Sequence, residues 1–373
     1  MDTRTETGIE ALPDPLPEEK EQREQLVQQM LERSRNLRGD GDRDAAEAVL
    51  SASLRAGLWS YQRLWGELWA LMERPEDYRA IRELWLASPR GCHRRIPLLR
   101  TVARAASVAG EHDEARALLR KAIVVQAART RRYRSRLNRV RRQATEKAAR
   151  LISRPDPEAF EPRAQAALEA LEAEFEHLGV RTFLISGTLL GLVRDSQFIG
   201  WDKDIDLGFF TSEIETRELQ RAFERSEHFA VRRLDFNSER LRVNHANGIM
   251  VDIFPHYEDD DGRVWHDGTA TRWGNSQFEL RRADFLGRSV FVPDPPERYL
   301  DENYGDWRAP DPNFDARLDA PNVEVTDKDF LDTLHYFSLL DAVNRRDAQK
   351  RERYLGLLRE LGEEGWLDRV GVK

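Results

Sequence analysis

Residues 183–210 read FLISGTLLGLVRDSQFIGWDKDIDLGFF. The apolar run Phe183-Leu184-Ile185 stops at Ser186-Gly187-Thr188, and Leu189, Leu190, Leu192 and Val193 follow at helical spacing, with Arg194 and Asp195 closing the turn. This predicts a strand, a tight turn and a short helix. A Gly-Thr pair at such a junction offers backbone N–H groups and a hydroxyl to a phosphate at the positive end of the helix. A second strand follows, with Asp204 and Asp206 on either side of Ile205. Residues two apart on a strand share a face. Both carboxylates therefore point one way while Ile205 and Leu207 point to a core. Two carboxylates beside a phosphate cradle make a site for Mg2+ or Mn2+ holding a diphosphate.

Further along, Asp252 lies in the apolar run Ile249-Met250-Val251-Asp252-Ile253-Phe254-Pro255. An unpaired carboxylate buried there would meet a large desolvation cost. A bound divalent cation relieves it, as would a structural pairing with an arginine. The acidic spacing also resembles a calcium loop in part. Asp202, Asp204, Asp206 and Glu213 fall at loop positions 1, 3, 5 and 12, but Leu207 stands where such a loop needs glycine.

The 373 residues suggest two domains, and 40% hydrophobic content suffices for packed cores. No apolar run reaches membrane-spanning length, and the acidic, proline-containing N-terminus does not read as a signal peptide. Cys92 is the one cysteine, which excludes an internal disulfide and a cysteine-based zinc cluster. These features predict a cytoplasmic protein. Residues 1–17 read as a disordered lead and 18–128 as an all-α region. Within it Ala46/Leu50, Ala80/Leu84 and Ala115/Leu119 recur 34 and then 35 residues apart, with Ser53, Ala87 and Ala122 as a third column. This period resembles tetratricopeptide (TPR) helical hairpins, with turns at Gly41, Pro75 and Gly110, and suits a protein partner. A plain helical bundle is the alternative. Trp59, Tyr61, Trp65, Trp69 and Trp85 read as packing between these helices.

Residues 129–157 form a basic linker helix. Between Arg129 and Arg150 ten basic residues face one acidic residue, Glu146, although the whole chain carries a net charge of −8. Such a helix is either solvated or a peripheral contact with anionic lipid at the inner face of a membrane. Tyr133 is its lone stacking residue, which disfavours nucleic acid. Pro155 and Pro157 mark the boundary of a second domain, 158–373, predicted to be α+β. It opens with a helix over 161–178 capped by Gly179. Beyond the motif stretch, Thr211 or Ser212 is expected to cap a helix reaching 226. Strands are expected at 229–236, 248–257, 263–266 and 289–293, with a hairpin turn at Asp260-Asp261-Gly262. A helix starting at Pro295-Pro296 and a final helix pair over 327–361 complete the pattern.

The stretch GTLLGLVRDSQFIGWDKDIDLGFF resembles the signature of the LicD/fukutin family. VDIFPHY at 251–257, the Trp265 and Trp273 region, VFVPDPPERYL at 290–300 and YGDW at 304–307 agree in order, so the resemblance covers about 175–310. Many members have Asp where Lys203 stands. The resemblance implies a nucleotidyltransferase-like mixed sheet with flanking helices. It also implies transfer of a phospho-substituent, phosphocholine or a phospho-alditol such as ribitol phosphate, from a CDP-activated donor to a sugar hydroxyl of a cell-surface glycan, lipid-linked or free. Asp204 and Asp206 would hold the metal, and Asp252 would complete the metal site or accept the hydroxyl proton. Gly187 and Thr188 would sit beside the phosphates. Arg194 would neutralise the leaving CMP or form a surface salt bridge. Trp201 would shape the donor pocket or pack in the core, and His256 would touch the acceptor or be a hydrogen-bonded structural residue. Two rivals remain: a nucleotidyltransferase moving a nucleotide monophosphate, and a non-catalytic scaffold built on the TPR-like half.

Overall fold

A computed structural model describes residues 12–140, 157–199, 204–234, 238–311 and 313–370. The chain divides into two compact units. One comprises Met1–Arg142 together with Asp332–Lys373, and the other Gln143–Leu331. The C-terminal helices thus group with the N-terminal helices, whereas the sequence reading had placed them in the second domain.

In the helical unit, α1 (Lys20–Gly39), α2 (Arg43–Ser53), α3 (Gln62–Ala70), α4 (Tyr78–Ala87), α5 (Ile96–Val108) and α6 (His112–Val140) follow in order. Gly41 and Gly110 adopt positive φ at two of the expected turns. The repeat columns are buried in α2 and α6, at Ala46, Leu50, Ser53, Ala115, Leu119 and Ala122. In α4, Leu84 is buried, but Ala80 is half-buried and Ala87 exposed. The middle pair therefore lacks the close approach that a TPR hairpin needs. The tryptophans pack as expected, with Trp65 edge-on to Trp85 at 5.8 Å. The expected basic helix begins inside α6, and residues 141–156 of it lie outside the described residues, as do residues 1–11 of the lead.

The second unit opens with α7 (Pro157–Leu178), proline at its first turn where no intrahelical N–H is lost. Gly179 ends it at φ 68°. Then come β1 (Thr182–Leu184), α8 (Ser186–Asp195), β2 (Asp204–Phe210), α9 (Thr216–Glu224), β3 (Phe229–Leu234), β4 (Leu241–His245), β5 (Met250–Glu258), β6 (Val264–Asp267), β7 (Thr271–Asn275), β8 (Glu279–Phe285), β9 (Arg288–Asp294), α10 (Pro296–Tyr304), the single turn α11 (Ala316–Asp319) and β10 (Val323–Val325). Helices α12 (Lys328–Arg345), α13 (Ala348–Glu360) and α14 (Glu364–Val370) lead to the C-terminus.

The strands join in the order β10-β7-β6-β5-β2-β1-β9-β8, with β4 paired to β5 and β3 beyond it. The sheet is mixed: β2 runs parallel to β5 and β1 parallel to β9, and the other pairs are antiparallel. It forks at β5, whose first half pairs with β4 and whose end pairs with β6. One face carries Leu184, Ile205, Leu207, Val251 and Ile253, all buried, in a core that includes Leu168, Leu171 and Phe175 of α7. The other face carries Asp204 and Asp206 and then, further along, a buried aromatic layer of Phe183, Phe210 and Phe278. Gly208 lies in this layer because a Cβ there would meet Phe183 at 2.5 Å and His256 at 2.7 Å.

The cap expected for α9 is different. Its N-cap is Glu215, without a side-chain hydrogen bond. Thr211 donates both its N–H and its hydroxyl to the His256 carbonyl instead, at 3.0 and 3.2 Å, joining β2 to β5.

Candidate active site

The expected alternation on β2 is present. Asp204 and Asp206 are half-buried on one face, and Ile205 and Leu207 are buried on the other. In the parallel ladder Asp206 stands opposite Asp252, and Asp204 opposite Met250. Ladder partners share a face, so all three expected carboxylates lie on the same side of adjacent strands.

Helix α8 fixes the start of β2. Ser186 turns the chain from strand to helix at φ 49°, so the left-handed corner falls one residue before the expected Gly187, which sits in the first helical turn. Thr188 is 1% exposed, and its hydroxyl accepts the Asp206 N–H at 3.0 Å. The Ile185 N–H donates to the Asp206 carbonyl. The N-terminal turn of α8 is thereby tied beside the two carboxylates. The first N–H groups of a helix have no intrahelical partner, so this end suits an anion. Gly191 permits the chain to fold back behind α8, because a Cβ there would meet the Gln197 carbonyl at 2.5 Å.

Asp252 is 4% exposed. Its carboxylate accepts two hydrogen bonds from Arg242, at 2.6 and 2.7 Å, and Arg240 approaches to 3.4 Å. The pairing weighed as an alternative is the one observed, and in this geometry Asp252 is a ligand of arginines. Among the described residues no group of three or more His, Cys, Asp and Glu side chains is placed to hold a metal. Asp204 and Asp206 nonetheless offer the hard oxygen donors on one half-exposed face that Mg2+ or Mn2+ takes, usually with waters and substrate oxygens completing the shell.

The remaining expected contacts are redistributed. Arg194 bonds to Asp195 at 2.9 Å and to the Trp307 carbonyl at 3.4 Å, at the end of α8 remote from its N-terminal turn. This is the salt bridge and not a contact with a leaving group. His256 is corrected from acceptor contact to structural residue. It is 1% exposed, its Nδ1–H donates to the Phe254 carbonyl at 3.0 Å, and burial pushes its pKa down to about 4. Its ring lies 4.6 Å from that of His266, whose pKa is also lowered, by burial first and then by His256 and Arg240. Trp201 and Lys203 lie outside the described residues. A cavity of about 420 Å³ opens elsewhere, lined by Leu171, Phe175, Leu184 and Leu207. Since Leu207 and Asp206 point to opposite faces, that cavity is not the carboxylate site. Arg240 and Arg242 were missed in the sequence, although the alternation Leu241-Arg242-Val243 marked a strand whose polar side would face a neighbour.

The fold is a mixed sheet with flanking helices, and two carboxylates on one strand lie beside a helix N-terminus. Residues 179–294 match the family model described as LicD/FKTN/FKRP, nucleotidyltransferase domain. Over these residues the chain is similar to that family's domain. It is 30% identical over 178 residues to the ribitol-5-phosphate transferase FKTN of Mus musculus, covering 45% of this chain and 38% of that protein. It is 28% identical to the Homo sapiens protein of the same name, over 44% of this chain and 38% of the relative. A shorter match, 31% over 22% of this chain and 18% of the relative, links it to the Homo sapiens ribitol 5-phosphate transferase FKRP. The chain thus spans well under half the length of the curated relatives it matches.

These relatives also correct the expected cytoplasmic location. The fukutin homologues are Golgi membrane proteins. Among the described residues no helix is long and apolar enough to cross a membrane, which does not fix a compartment.

Proposed function

We propose that the protein transfers a phospho-alditol, specifically ribitol phosphate, from a CDP-activated donor to a hydroxyl of a glycan. The observation that carries this reading is the pairing of Asp204 and Asp206 on one face of β2 beside the N-terminus of α8. That pairing lies inside residues 179–294, which match the LicD/FKTN/FKRP nucleotidyltransferase domain. In the reaction, an acceptor hydroxyl oxygen bonds to the phosphorus that carries the alditol. The bond from that phosphorus to the bridging oxygen breaks, CMP leaves with the electron pair, and the hydroxyl proton passes to a carboxylate of the site or to water. Such a step depends mostly on positioning and on stabilising charge. Asp204 and Asp206 would hold Mg2+ or Mn2+, which supplies positive charge to the diphosphate when bound. The N–H groups of the first turn of α8, around Gly187 and Thr188, orient phosphate oxygens, and Thr188 keeps β2 in register with that turn.

A thermal-shift panel of CDP-ribitol, CDP-glycerol, CDP-choline and CMP, each with Mg2+, tests the donor through stabilisation by binding. Selective stabilisation by CDP-ribitol is expected, and equal shifts for all four would overturn the choice of alditol. A second reading, nucleotidyl transfer, is favoured by the description of the matched family domain. The mass added to the acceptor separates the two, ribitol phosphate against a nucleotide monophosphate. A TPR-like binding role for the helical unit remains a proposal, testable by pull-down with α1–α6 column residues changed.

A further inference from the structure

Asp252 is surrounded in a way that a metal ligand alone does not require. Its antiparallel ladder partner is Arg242, and its parallel ladder partner is Asp206. The row across three adjacent strands therefore reads Arg242, Asp252, Asp206, with all three side chains on one face. Arg242 holds the carboxylate at two points, Arg240 brings a second guanidinium, and Arg240 also lies over the Phe254 ring at 5.4 Å. Both guanidinium groups converge on Asp252, on a face that also carries Asp204 and Asp206. The arginine side chains are 18% and 27% exposed and Asp252 only 6%, so the guanidinium groups can be reached by a solute while their counter-ion cannot.

We propose that Arg240 and Arg242 are the anion-binding half of this site, taking the adjacent phosphates of a nucleoside diphosphate, with Asp252 as their resting counter-ion. This rests on the transferase reading above. A guanidinium fork matches phosphate oxygens as it matches a carboxylate, at two points. A phosphate that takes over Arg242 leaves Asp252 in need of positive charge. A divalent cation drawn to Asp206, the ladder neighbour of Asp252, provides that charge and in turn loosens the hold of Asp252 on its arginines. Cation and diphosphate each relieve the penalty the other meets, so their binding is coupled, and the coupling is reciprocal.

The test is calorimetric titration of the full chain with Mn2+ alone, CDP alone, and CDP in the presence of Mn2+. In the unaltered protein Mn2+ is expected to tighten CDP binding about tenfold or more, within the usual range of such couplings. Arg242→Gln is expected to bind Mn2+ alone more tightly, because a competing cation is gone, and to bind CDP about tenfold more weakly with most of the coupling lost. Arg240→Gln, which removes a single longer contact, is the milder companion should Arg242→Gln fold poorly, and it is expected to shift both affinities in the same directions. CDP affinities unchanged in both variants, or weaker Mn2+ binding in Arg242→Gln, would overturn the proposal. If the unaltered protein binds neither CDP nor CMP with Mn2+, the transferase reading fails with it. Binding and turnover that survive both substitutions unchanged sink this inference alone.

Discussion

Asp206 and His256 lie on the same face of the sheet, four ladder steps apart, and do opposite work. Asp206 is half-exposed and tied through its backbone to Thr188. Asp206→Asn keeps shape and hydrogen bonding but removes the charge. Turnover is expected to fall about a hundredfold or more, as when one charge-stabilising group is lost, with little change in melting temperature. A normal rate at saturating Mg2+ would remove Asp206 from the site. His256 has no access to solvent, and its neutral ring packs among Phe183, Phe210 and His266. Its folded pKa of about 4 lies below the ordinary 6.5, so the unfolded chain takes up its proton first. Stability is therefore full above pH 6.5 and declines as pH falls through about 4. His266 adds in the same direction. His256→Phe is expected to flatten the dependence of melting temperature on pH over that window, and a curve parallel to the unaltered protein would contradict the assignment.

At the scale of elements, the site depends on the fit between β1, β2 and β5. Gly208 faces Phe183 across the ladder, and the clash that a Cβ would make is with packed rings and not with flexible chain ends. Gly208→Ala is expected to destabilise by about 1–3 kcal/mol, the usual range for overpacking a core, read as a lower urea midpoint with unchanged slope. The same elements explain what the sequence made legible. On β2 the alternation of acids with Ile205 and Leu207 is strong because one face is core, and α8 shows its helical spacing because Leu189 and Leu190 are buried. Strand β8, ELRRADF, gave no such signal: among the described residues it is an edge strand paired to β9 alone, so four of its seven residues stay charged. The polar partner of Asp252 escaped for another reason. Charge pairing across strands depends on register, and register between β4 and β5 is set by a turn at His245–Ile249 that composition does not reveal. For Thr211, the competing acceptor was the His256 carbonyl, remote in sequence, and it drew the hydroxyl away from the helix it was expected to cap.

At the scale of the whole chain, the helical unit is assembled from both ends of the sequence, and linear reading of composition cannot see that. The contacts between these helices are lateral. Arg120 of α6 pairs with Glu363 and lies over the Tyr336 ring, Arg100 of α5 holds Asp341 at 2.6 and 2.8 Å, and Arg104 sits over Phe337 at 4.9 Å. Leu355, Leu358 and Leu367 are fully buried on α13 and α14. Burying each such side chain contributes roughly 1.5–3 kcal/mol, a large fraction of the net stability of an ordinary domain. A chain ending after Arg346 loses all three together with Glu363, leaving Arg120 without its carboxylate. It is expected to lower the melting temperature of the helical unit and to open α1–α6 to limited proteolysis, with fragments identified by mass. Gln143–Leu331 form the other compact unit and contain every carboxylate of the site, so they are expected to stay protected and to keep the thermal shift given by CDP with Mn2+. Protection of α1–α6 in the truncated chain would show that the N-terminal helices close their own core, and the division of the chain proposed by its packing would be wrong.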